Sequence, residues 1–361
     1  MRRGVAIDYV IWHTLQRYPN VEAVPVVTMA DVAALADVST ATVSRVLTGR
    51  PGVGEATRQK VADAVERLGY RPNAVARSLR VDTTHTLGLV IGDICNPFFT
   101  ELARAVEDAA NAEGYSLILG NADEDADRQE RYVDVLLNRR VDGLLVVPAV
   151  AHSDAIAMAV RQHAPIVFVD RELPGINVPV VRSNGRKAIR ELVEHLLTLG
   201  HRRIAIISGP EQASTGVERL TAFREALGVA GVPLPVDYIR HGDFQEVSGQ
   251  VQMAALLALD EPPSAVIAAD NLMALGALRT LRRGGLRIPQ DMALASFDDS
   301  PWFELLDPPM TAIAQPTKEI GSIAVQTLLE LMHRRAAPSR LLDCRLMVRS
   351  SCGEAANVRK N

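Results

Sequence analysis

The chain has 361 residues, of which 48% are hydrophobic and only 4% aromatic, and its formal net charge is −4. This length predicts two or three domains, and the aliphatic content excludes a mainly disordered chain. Its three cysteines are too few for a disulfide framework and none stands in zinc-ligand spacing, which indicates a reducing compartment and no metal site.

The first 27 residues share no pattern with the rest of the chain, and we expect them to be a disordered N-terminal extension. The extension starts with basic residues, as an export signal would, but Asp8, His13, Gln16 and Arg17 interrupt any apolar segment. No apolar run reaches the roughly 18 residues that a membrane-spanning helix needs. The sequence therefore favours the cytoplasm.

Residues 28–72 are predicted to form three helices that begin with a helix-turn-helix. Ser39 is a good N-cap for the second helix, and a third helix is expected over about 55–68, ended by Gly69. A helix-turn-helix presents its second helix to the major groove of DNA. An ordinary helical hairpin is the alternative. The side chains of the second helix that face away from its apolar side are Thr40, Ala41, Ser44 and Arg45.

A short hinge helix and a linker are predicted over residues 73–84. A helix this short is marginal alone, so we expect it to form only with a partner copy and DNA present. Leu79, placed among arginines, would insert into a base step from the minor groove, although a plain linker is the alternative. Residues 28–80 hold eight basic and five acidic side chains, while the rest carry −7, which fits phosphate contacts at one end of the molecule.

From residue 85 onward, strands and helices alternate, which predicts parallel sheets with helices on both faces. The runs LGLVIG and PIVFVD belong to a first set, and RIAIISG and SAVIAAD to a second, so two doubly wound α/β subdomains are expected. A late strand over 341–348 should cross between them. The predicted core spans 85–361, with a first subdomain of about 85–182 and 317–343 and a second of about 183–316 and 344–357.

A ligand cleft is predicted where the strands of the two subdomains end. Ligands of wound sheets gather at the carboxyl edges of the strands, and Asp170, Asp270 and Asp298 each follow such a strand. Arg219 lies early in the helix that follows IISGP, and aromatic rings are available at Phe98, Phe99 and Phe244. Carboxylates, a guanidinium and apolar rings together are suited to a ligand with several hydroxyl groups.

Enzyme signatures are missing from the sequence. It contains no glycine-rich dinucleotide loop after the first strand, no phosphate-binding GK[ST] loop, no HExxH and no GxSxG elbow. We therefore expect no enzymatic activity and no cofactor. An enzyme acting on a sugar or nucleoside would need a nucleophile or base in the cleft. A solute-binding sensor or transport protein would need an export signal and no helix-turn-helix.

Longer motifs reveal a family resemblance over about Val27 to Cys352. Residues 27–80 follow the pattern VT.ADVA..A.VS..TVSRVL.G...V...TR..V..A...LGY.PN..ARSLR, and NPFF, VFVDR, LGHRRIAIISGP, ADNLMALGAL, SFDD and PPMTAIAQP come later. The chain resembles the lactose/galactose-repressor family of bacterial transcription regulators. The resemblance implies a DNA-binding headpiece, a hinge helix and a core like periplasmic sugar-binding proteins. Because the chain lacks a leucine-heptad tail, a homodimer is expected.

The resemblance also assigns roles by position. Base contacts are implied for Thr40, Ala41, Arg45, Leu79 and Arg80. Phosphate contacts are implied for Thr28, Ser39, Thr42, Ser44 and Thr57. Effector contacts are implied for Phe98, Asp170, Arg219, Phe244, Asp270 and Asp298.

The expected function is that of a repressor whose affinity for a pseudo-palindromic DNA operator is controlled by a small molecule, by default a carbohydrate. A nucleobase or nucleoside fits the same side chains. Four sites depart from the family pattern. Asp37 replaces the usual turn Gly or Asn. Gly54 stands where a serine usually caps the third helix, Ser183-Asn184-Gly185-Arg186 differs from the common Asp-Asn motif, and Asp270-Asn271 reverses the usual Asn-Asp order.

Overall fold

The structure, a computed structural model, describes residues 27–70, 83–149 and 151–353. The chain divides into two compact units, with the boundary between Asp82 and Thr83. Within the described residues, no helix has both the length and the apolar character needed to cross a bilayer.

The described part of the first unit, here called the headpiece, is a three-helix arrangement around a small aliphatic core. Val32, Val43 and Val61 have no exposed surface, and Val27, assigned to the N-terminal extension by the sequence, packs against this core. The turn after the first helix is made by Asp37 in the left-handed conformation, which Asp adopts at modest cost. The helices are α1 (Met29–Ala36), α2 (Thr40–Leu47) and α3 (Glu55–Leu68). Their order and type agree with the prediction.

The second unit alternates strands and helices over its described residues, because short, fully buried aliphatic runs are followed by amphipathic segments. The strands are β1 (Thr86–Ile91), β2 (Ser116–Asn121), β3 (Gly143–Val146), β4 (Ile166–Val169), β5 (Val180–Asn184), β6 (Ile204–Ser208), β7 (Ile239–His241), β8 (Ala265–Ala268), β9 (Ala293–Phe297), β10 (Thr311–Ala314), β11 (Arg340–Asp343) and β12 (Arg345–Met347). The α-helices are α4 (Pro97–Ala112), α5 (Ala126–Asn138), α6 (Asp154–Arg161), α7 (Arg186–Thr198), α8 (Ser214–Val229), α9 (Glu246–Leu257), α10 (Asn271–Arg283) and α11 (Thr317–Met332). Single 3-10 turns lie at Val236–Tyr238, Pro301–Leu305 and Ser350–Cys352.

Two six-stranded sheets form the second unit, as the alternating pattern predicted. The first has the order β11-β5-β4-β3-β1-β2 and is parallel throughout. The second has the order β12-β10-β9-β8-β6-β7, and only its edge strand β12 is antiparallel. Helices α4 and α11 pack on one face of the first sheet and α5 and α6 on the other.

The chain passes between the two sheets three times, after β5, β10 and β11. The first sheet extends to Asn184, two residues beyond the boundary predicted at 182. The late strand predicted over 341–348 is two strands, because Cys344 leads from β11 in one sheet to β12 in the other. These crossings bring the carboxyl ends of strands from both sheets to one cleft.

Candidate functional site

The headpiece exposes the face of α2 that the sequence singled out. Val43 is fully buried under the helix, whereas Thr40, Ala41 and Arg45 are exposed, and Ser44 is half-buried. Residues one turn apart thus point into solvent on the side away from the core. This arrangement can place a guanidinium and a hydroxyl against the edges of bases.

Hydroxyl groups cap the first two helices of the headpiece. Ser39 Oγ accepts a hydrogen bond from the backbone N–H of Thr42 at 3.1 Å and lies 2.9 Å from Thr42 Oγ1. At the start of α1, the Thr28 hydroxyl and N–H both donate to Asp31 Oδ2 at 2.7 Å, which lowers the pKa of that carboxyl. Thr57 is half-buried in the first turn of α3. Four of the five predicted phosphate contacts, Thr28, Ser39, Thr42 and Thr57, therefore lie at helix N-termini, where N–H groups favour anions, whereas Ser44 lies in the middle of α2.

Gly54 is the N-cap of α3 and contributes no side-chain cap, as its departure from the family pattern predicted. Arg58, one turn into α3, instead holds the preceding loop by donating to the carbonyls of Val53 and Arg50, each at 3.1 Å. The hinge residues Leu79 and Arg80 lie outside the described residues, as does the whole predicted hinge helix.

All six predicted effector-contacting side chains meet in the second unit. They surround a cavity of about 10 Å³, room for about one water molecule, and this cavity with its walls is called the cleft below. The lining residues are Asn96, Phe98, Phe99, Asp170, Arg171, Thr215, Arg219, Phe244, Asp270 and Asp298.

Local backbone geometry aims several of these side chains into the cleft. Asp170 follows β4, Asp298 follows β9, and Phe244 precedes α9, and all three have φ near +65°, a conformation that is uncommon for residues other than glycine. Each such residue costs on the order of 1–3 kcal/mol and persists only where the surrounding structure imposes it. Asp270 is the N-cap of α10, where its Oδ1 accepts from Met273 N at 2.9 Å.

Arg171 forms the centre of one cleft wall, although the sequence analysis did not name it as a site residue. Its two Nη atoms donate to both carboxylate oxygens of Glu124 at 2.6 and 2.8 Å. Its guanidinium carbon lies 5.0 Å from the ring centroid of Phe244 and 5.7 Å from that of Phe99, within cation–π range. Phe244 belongs to the second subdomain, so Arg171 also joins the two halves.

Asn96 joins the two subdomains on another side of the cleft. Its Nδ2 donates to Asp270 Oδ2 at 3.0 Å, and its Oδ1 accepts from Asn271 Nδ2 at 3.1 Å and from Phe98 N at 2.9 Å. Asn96, Asp270 and Asn271 are all buried. In the Asp270-Asn271 pair, the carboxylate of Asp270 therefore faces the cleft, and the amide of Asn271 faces Asn96 of the first subdomain.

Arg219 and Asp298 form a further wall of the cleft. Arg219 Nη1 donates to the carbonyl of Ala269 at 2.6 Å and lies 3.4 Å from Asp298 Oδ2, while its guanidinium carbon lies 3.7 Å from the Phe297 ring centroid. Asp298 Oδ1 accepts from Gln315 Nε2 at 2.5 Å. The guanidinium of Arg219 therefore lies between the Phe297 ring and the cleft.

Burial strongly perturbs two of the carboxyl groups. Desolvation raises the pKa of Asp170 to about 6, although Arg171 and Arg219 oppose the rise. Desolvation, and then the nearby charge of Asp298, raise the pKa of Asp270 to about 7. Perturbed acids in a cleft are typical of functional sites.

Asn96, Arg171 and Thr215 line the cleft and Glu124 holds Arg171, but the sequence analysis assigned none of these four residues to the site. NPFF and VFVDR contain the first two, and both motifs were recognised without these residues being assigned. Glu124 follows β2, and no motif signals it. The four-residue segment 183–186, which departs from the family pattern, does not line this cavity. It lines a separate pocket of about 310 Å³ beside Arg219.

Comparisons with known families match both units of the chain. Residues 28–73 match the family described as "Bacterial regulatory proteins, lacI family". Residues 193–352 match the "Periplasmic binding protein-like domain".

Individual relatives cover nearly the whole chain. The HTH-type transcriptional repressor CytR of Escherichia coli (strain K12) is 36% identical over 326 residues, which are 90% of this chain and 96% of CytR. The ribose operon repressor of the same strain is 36% identical over 313 residues, covering 86% and 94% of the two chains. The crystal structure of the Lac repressor dimer bound to operator and the anti-inducer ONPF superposes with a TM-score of 0.80 at 29% identity, covering 91% and 99%.

Proposed function

Because the chain belongs to the lacI family of bacterial regulatory proteins, we propose that it is a sequence-specific transcriptional repressor controlled by a small molecule bound in the cleft. The observation that carries this proposal is the pairing, in one chain, of an exposed helix-turn-helix face with a buried, charged cleft. Relatives named as repressors span both parts.

In this proposal the headpiece reads an operator through α2. Thr40, Ala41 and Arg45 contact base edges, and Arg45 binds guanine through two hydrogen bonds. Leu79 and Arg80 of the hinge act in the minor groove, where the leucine unstacks a base step. The phosphates meet the helix-capping and neighbouring hydroxyls, which belong to Thr28, Ser39, Thr42, Ser44 and Thr57.

The effector binds in the cleft and contacts six side chains there, those of Phe98, Asp170, Arg219, Phe244, Asp270 and Asp298. A cavity of about 10 Å³ is far smaller than the several hundred Å³ of a ligand pocket, so the two subdomains must separate to admit a molecule. A coupling free energy of about 1–3 kcal/mol between effector binding in the cleft and formation of the hinge helix would suffice to control the affinity for the operator. A sugar is the first candidate, since one relative is named a ribose operon repressor, and a nucleobase or nucleoside is the second.

We propose that two copies act together on a pseudo-palindromic operator. One solved relative is a dimer on its operator. In this chain α9 exposes Val247 and Val251, with 68% and 58% of their surface accessible, and Ala254 and Ala258 extend the same face. A Val251→Asp variant should sediment as a monomer at concentrations where the parent sediments as a dimer. An unchanged sedimentation coefficient would exclude this face.

The proposal also includes a cytoplasmic location, no enzymatic activity, and the division into a headpiece of 28–72, a hinge of 73–84 and a core from 85. The relatives named above are regulators rather than enzymes.

Selection of operators from random double-stranded DNA, followed by fluorescence anisotropy, tests the repressor function. We expect an enriched palindrome bound at least about 10³-fold more tightly than random DNA. The Leu79→Ala variant should lose specific affinity while its non-specific affinity stays close to that of the parent. Failure to enrich any sequence would overturn the proposal, and equal losses on both DNAs would exclude the wedge role of Leu79.

A further inference from the structure

A second pocket, of about 310 Å³, lies where the chain passes from β5 of the first sheet into α7 of the second subdomain. It is called the crossover pocket here and is lined by residues 182–186, Ile189, the start of α8, Phe297 and Leu341. Its volume is at the lower end of the range for small-molecule pockets. Arg219 lines both this pocket and the cleft, but the two cavities are separate.

The crossover pocket is more positively charged than the cleft. Its charged lining consists of the guanidiniums of Arg182, Arg186 and Arg219 and the carboxylate of Glu218. The cleft lining, in contrast, holds two guanidiniums and three carboxylates. Arg186 belongs to the segment 183–186, so part of the positive charge comes from a site at which this chain departs from the family pattern.

Each of the three guanidiniums has an edge that no protein group uses. Arg182 Nη1 donates to both oxygens of Glu218 at 2.6 and 2.7 Å, and Arg186 pairs with Glu225 through its own Nη1. Arg219 also donates only through Nη1. Among the described residues, Nε and Nη2 of these arginines have no hydrogen-bond acceptor. Nε and Nη2 together form an edge that binds an oxyanion through two parallel hydrogen bonds.

Burial makes the unused donors of Arg219 the most demanding of the three. Only 7% of Arg219 is exposed, so little of its guanidinium can be hydrated. Donors of buried side chains are nearly always paired. The unused edge of Arg219 therefore indicates that an acceptor from outside the chain belongs beside it.

The first turn of α7 supplies further donors at the same place. Gly185 is its N-cap and provides no side-chain cap, and only the N–H of Arg186 is held locally, by Asn184 Oδ1 at 3.2 Å. A side-chain cap has no room at position 185, because a Cβ there would lie 2.6 Å from the Phe297 ring. The next N–H groups of the helix thus remain available to an anion.

This set of donors suits a phosphate group better than a carboxylate. A phosphate monoester carries about two negative charges at neutral pH and offers three acceptor oxygens, enough for two guanidinium edges and the helix N-terminus. A carboxylate has one charge and two oxygens, and an amine would be repelled. Ile189, Phe297 and Leu341 line the remaining space and suit a compact organic part.

We propose that the crossover pocket is a second small-molecule site, which binds a phosphate group between Arg182, Arg186 and the first turn of α7, with Arg219 beside it. The phosphate is either the free ion or the group of a compact ester. This goes beyond the proposed function, because the effector binds in the cleft. Since Arg182 belongs to the first subdomain and α7 to the second, the bound phosphate also connects the two subdomains.

Isothermal titration calorimetry of the full-length protein in phosphate-free buffer tests the site. The probes are inorganic phosphate, glycerol 3-phosphate and phenyl phosphate, with glycerol and phenol as their uncharged counterparts. At least one phosphate probe should bind with a Kd below about 1 mM, and the two alcohols should not. An ester that binds more tightly than inorganic phosphate identifies an organic phosphate as the ligand, and otherwise the ligand is the free ion. If no phosphate probe reaches this Kd, or an alcohol binds as tightly as its ester, the proposal is overturned.

Arg186→Gln tests the contact that is specific to this pocket. It should weaken the phosphate probe about 10-fold, because a charge-assisted hydrogen bond is lost. Arg190→Gln is the matched control, since Arg190 is exposed on the same helix, pairs with Glu194 at 3.9 Å and does not line the pocket. Parent-like affinity in Arg186→Gln, or an equal loss in Arg190→Gln, contradicts the site.

A second pair of variants changes the charge at one position while keeping the size of the side chain. Ser183→Asp adds a carboxylate to the pocket lining, whereas Ser183→Asn adds a neutral group of the same shape. The aspartate variant should bind the phosphate probe at least about 10-fold more weakly than the asparagine variant. Equal affinities would contradict recognition by charge. If neither variant folds, Arg186→Gln decides, because Arg186 is exposed.

Asp270→Asn distinguishes this pocket from the cleft. Asp270 lines the cleft and not the crossover pocket, so its substitution should leave the affinity for the phosphate probe within about two-fold of the parent. A larger change in Asp270→Asn than in Arg186→Gln would place the phosphate in the cleft and overturn the proposal. Operator selection with Arg186→Gln should return the sequence selected by the parent, so failure of the phosphate site and failure of the repressor function are separate results.

Discussion

In the headpiece the candidate base-reading side chains of Thr40 and Arg45 extend into solvent, whereas in the cleft Asp170 and Arg171 are each only 4% exposed. The headpiece is held together by a small aliphatic core on the opposite side of α2 from its functional face. The cleft, in contrast, consists of functional groups that are themselves part of the packed interior. Substitutions in the headpiece face should therefore alter recognition alone, while those in the cleft should alter stability as well.

The largest expected effect follows from removing one partner of the buried Glu124–Arg171 pair. Glu124→Ala leaves the Arg171 guanidinium buried without its carboxylate, and we expect the free energy of unfolding to fall by about 3–5 kcal/mol. Guanidinium chloride unfolding followed by circular dichroism measures it.

Asp123→Ala is a matched control for that variant. Asp123 is the preceding residue, has the same left-handed conformation, and pairs with Arg128 at 2.6 Å on the surface. Exposed pairs contribute at most about 1 kcal/mol. If Glu124→Ala and Asp123→Ala lost the same free energy of unfolding, the buried Glu124–Arg171 pair would contribute no more to stability than the exposed Asp123–Arg128 pair.

Asp270 makes the stability of the second unit depend on pH. Its pKa in the folded protein is raised to about 7, so the folded state binds a proton that the unfolded state releases near pH 4. The contribution of Asp270 to stability is therefore full below about pH 4 and is lost as the pH rises through 7. Asp270→Asn, which can still cap α10, should stabilise the protein at pH 8 by on the order of 2–4 kcal/mol and have little effect at pH 4.

Denaturant unfolding at pH 4, 6 and 8 measures this dependence, and Asp237→Asn serves as the control because Asp237 is exposed. If the difference in free energy of unfolding between Asp270→Asn and the parent were the same at pH 8 as at pH 4, it would contradict the raised pKa of Asp270.

Arg45→Ala should affect DNA recognition without affecting folding. Because Arg45 is exposed, the free energy of unfolding should change by less than about 0.5 kcal/mol. Binding should weaken by about 1–3 kcal/mol through loss of preference at one operator position. Operator selection with the variant measures it, and Arg67→Ala, exposed on α3, should leave the selected sequence unchanged. The same selected sequence for Arg45→Ala and the parent would refute base reading by Arg45.

The smallest effect concerns the missing cap of α3. Gly54 has extended backbone geometry, and no atom lies within 4 Å of the Cβ that a serine would add. Gly54→Ser should therefore stabilise the headpiece by a few tenths of a kcal/mol, slowing hydrogen exchange of the α3 amides about two-fold. Gly52→Ser also has space, but its φ of +99° favours glycine, so it should destabilise. Faster exchange in Gly54→Ser than in the parent would contradict the prediction.

Local sequence patterns were sufficient for the helices of the headpiece and for the alternation of strands and helices in the core. Apolar periodicity and caps act within one or two turns, and the bounds 55–68 predicted for α3 agree with the structure. The strand ends that carry Asp170, Asp270 and Asp298 could also be recognised, since the carboxyl edge of a parallel sheet is a general ligand position.

Tertiary structure alone decided the pairing of Arg171 with Glu124, the bridge from Asn96 to Asp270, and the split of the late strand at Cys344. Each depends on residues that are distant in sequence and brought together by the crossings between the two sheets. Burial and the resulting rise in the pKa of Asp270 depend on the same packing. A sequence pattern reports which groups are available along a chain, but their desolvation and their partners are properties of the folded interior.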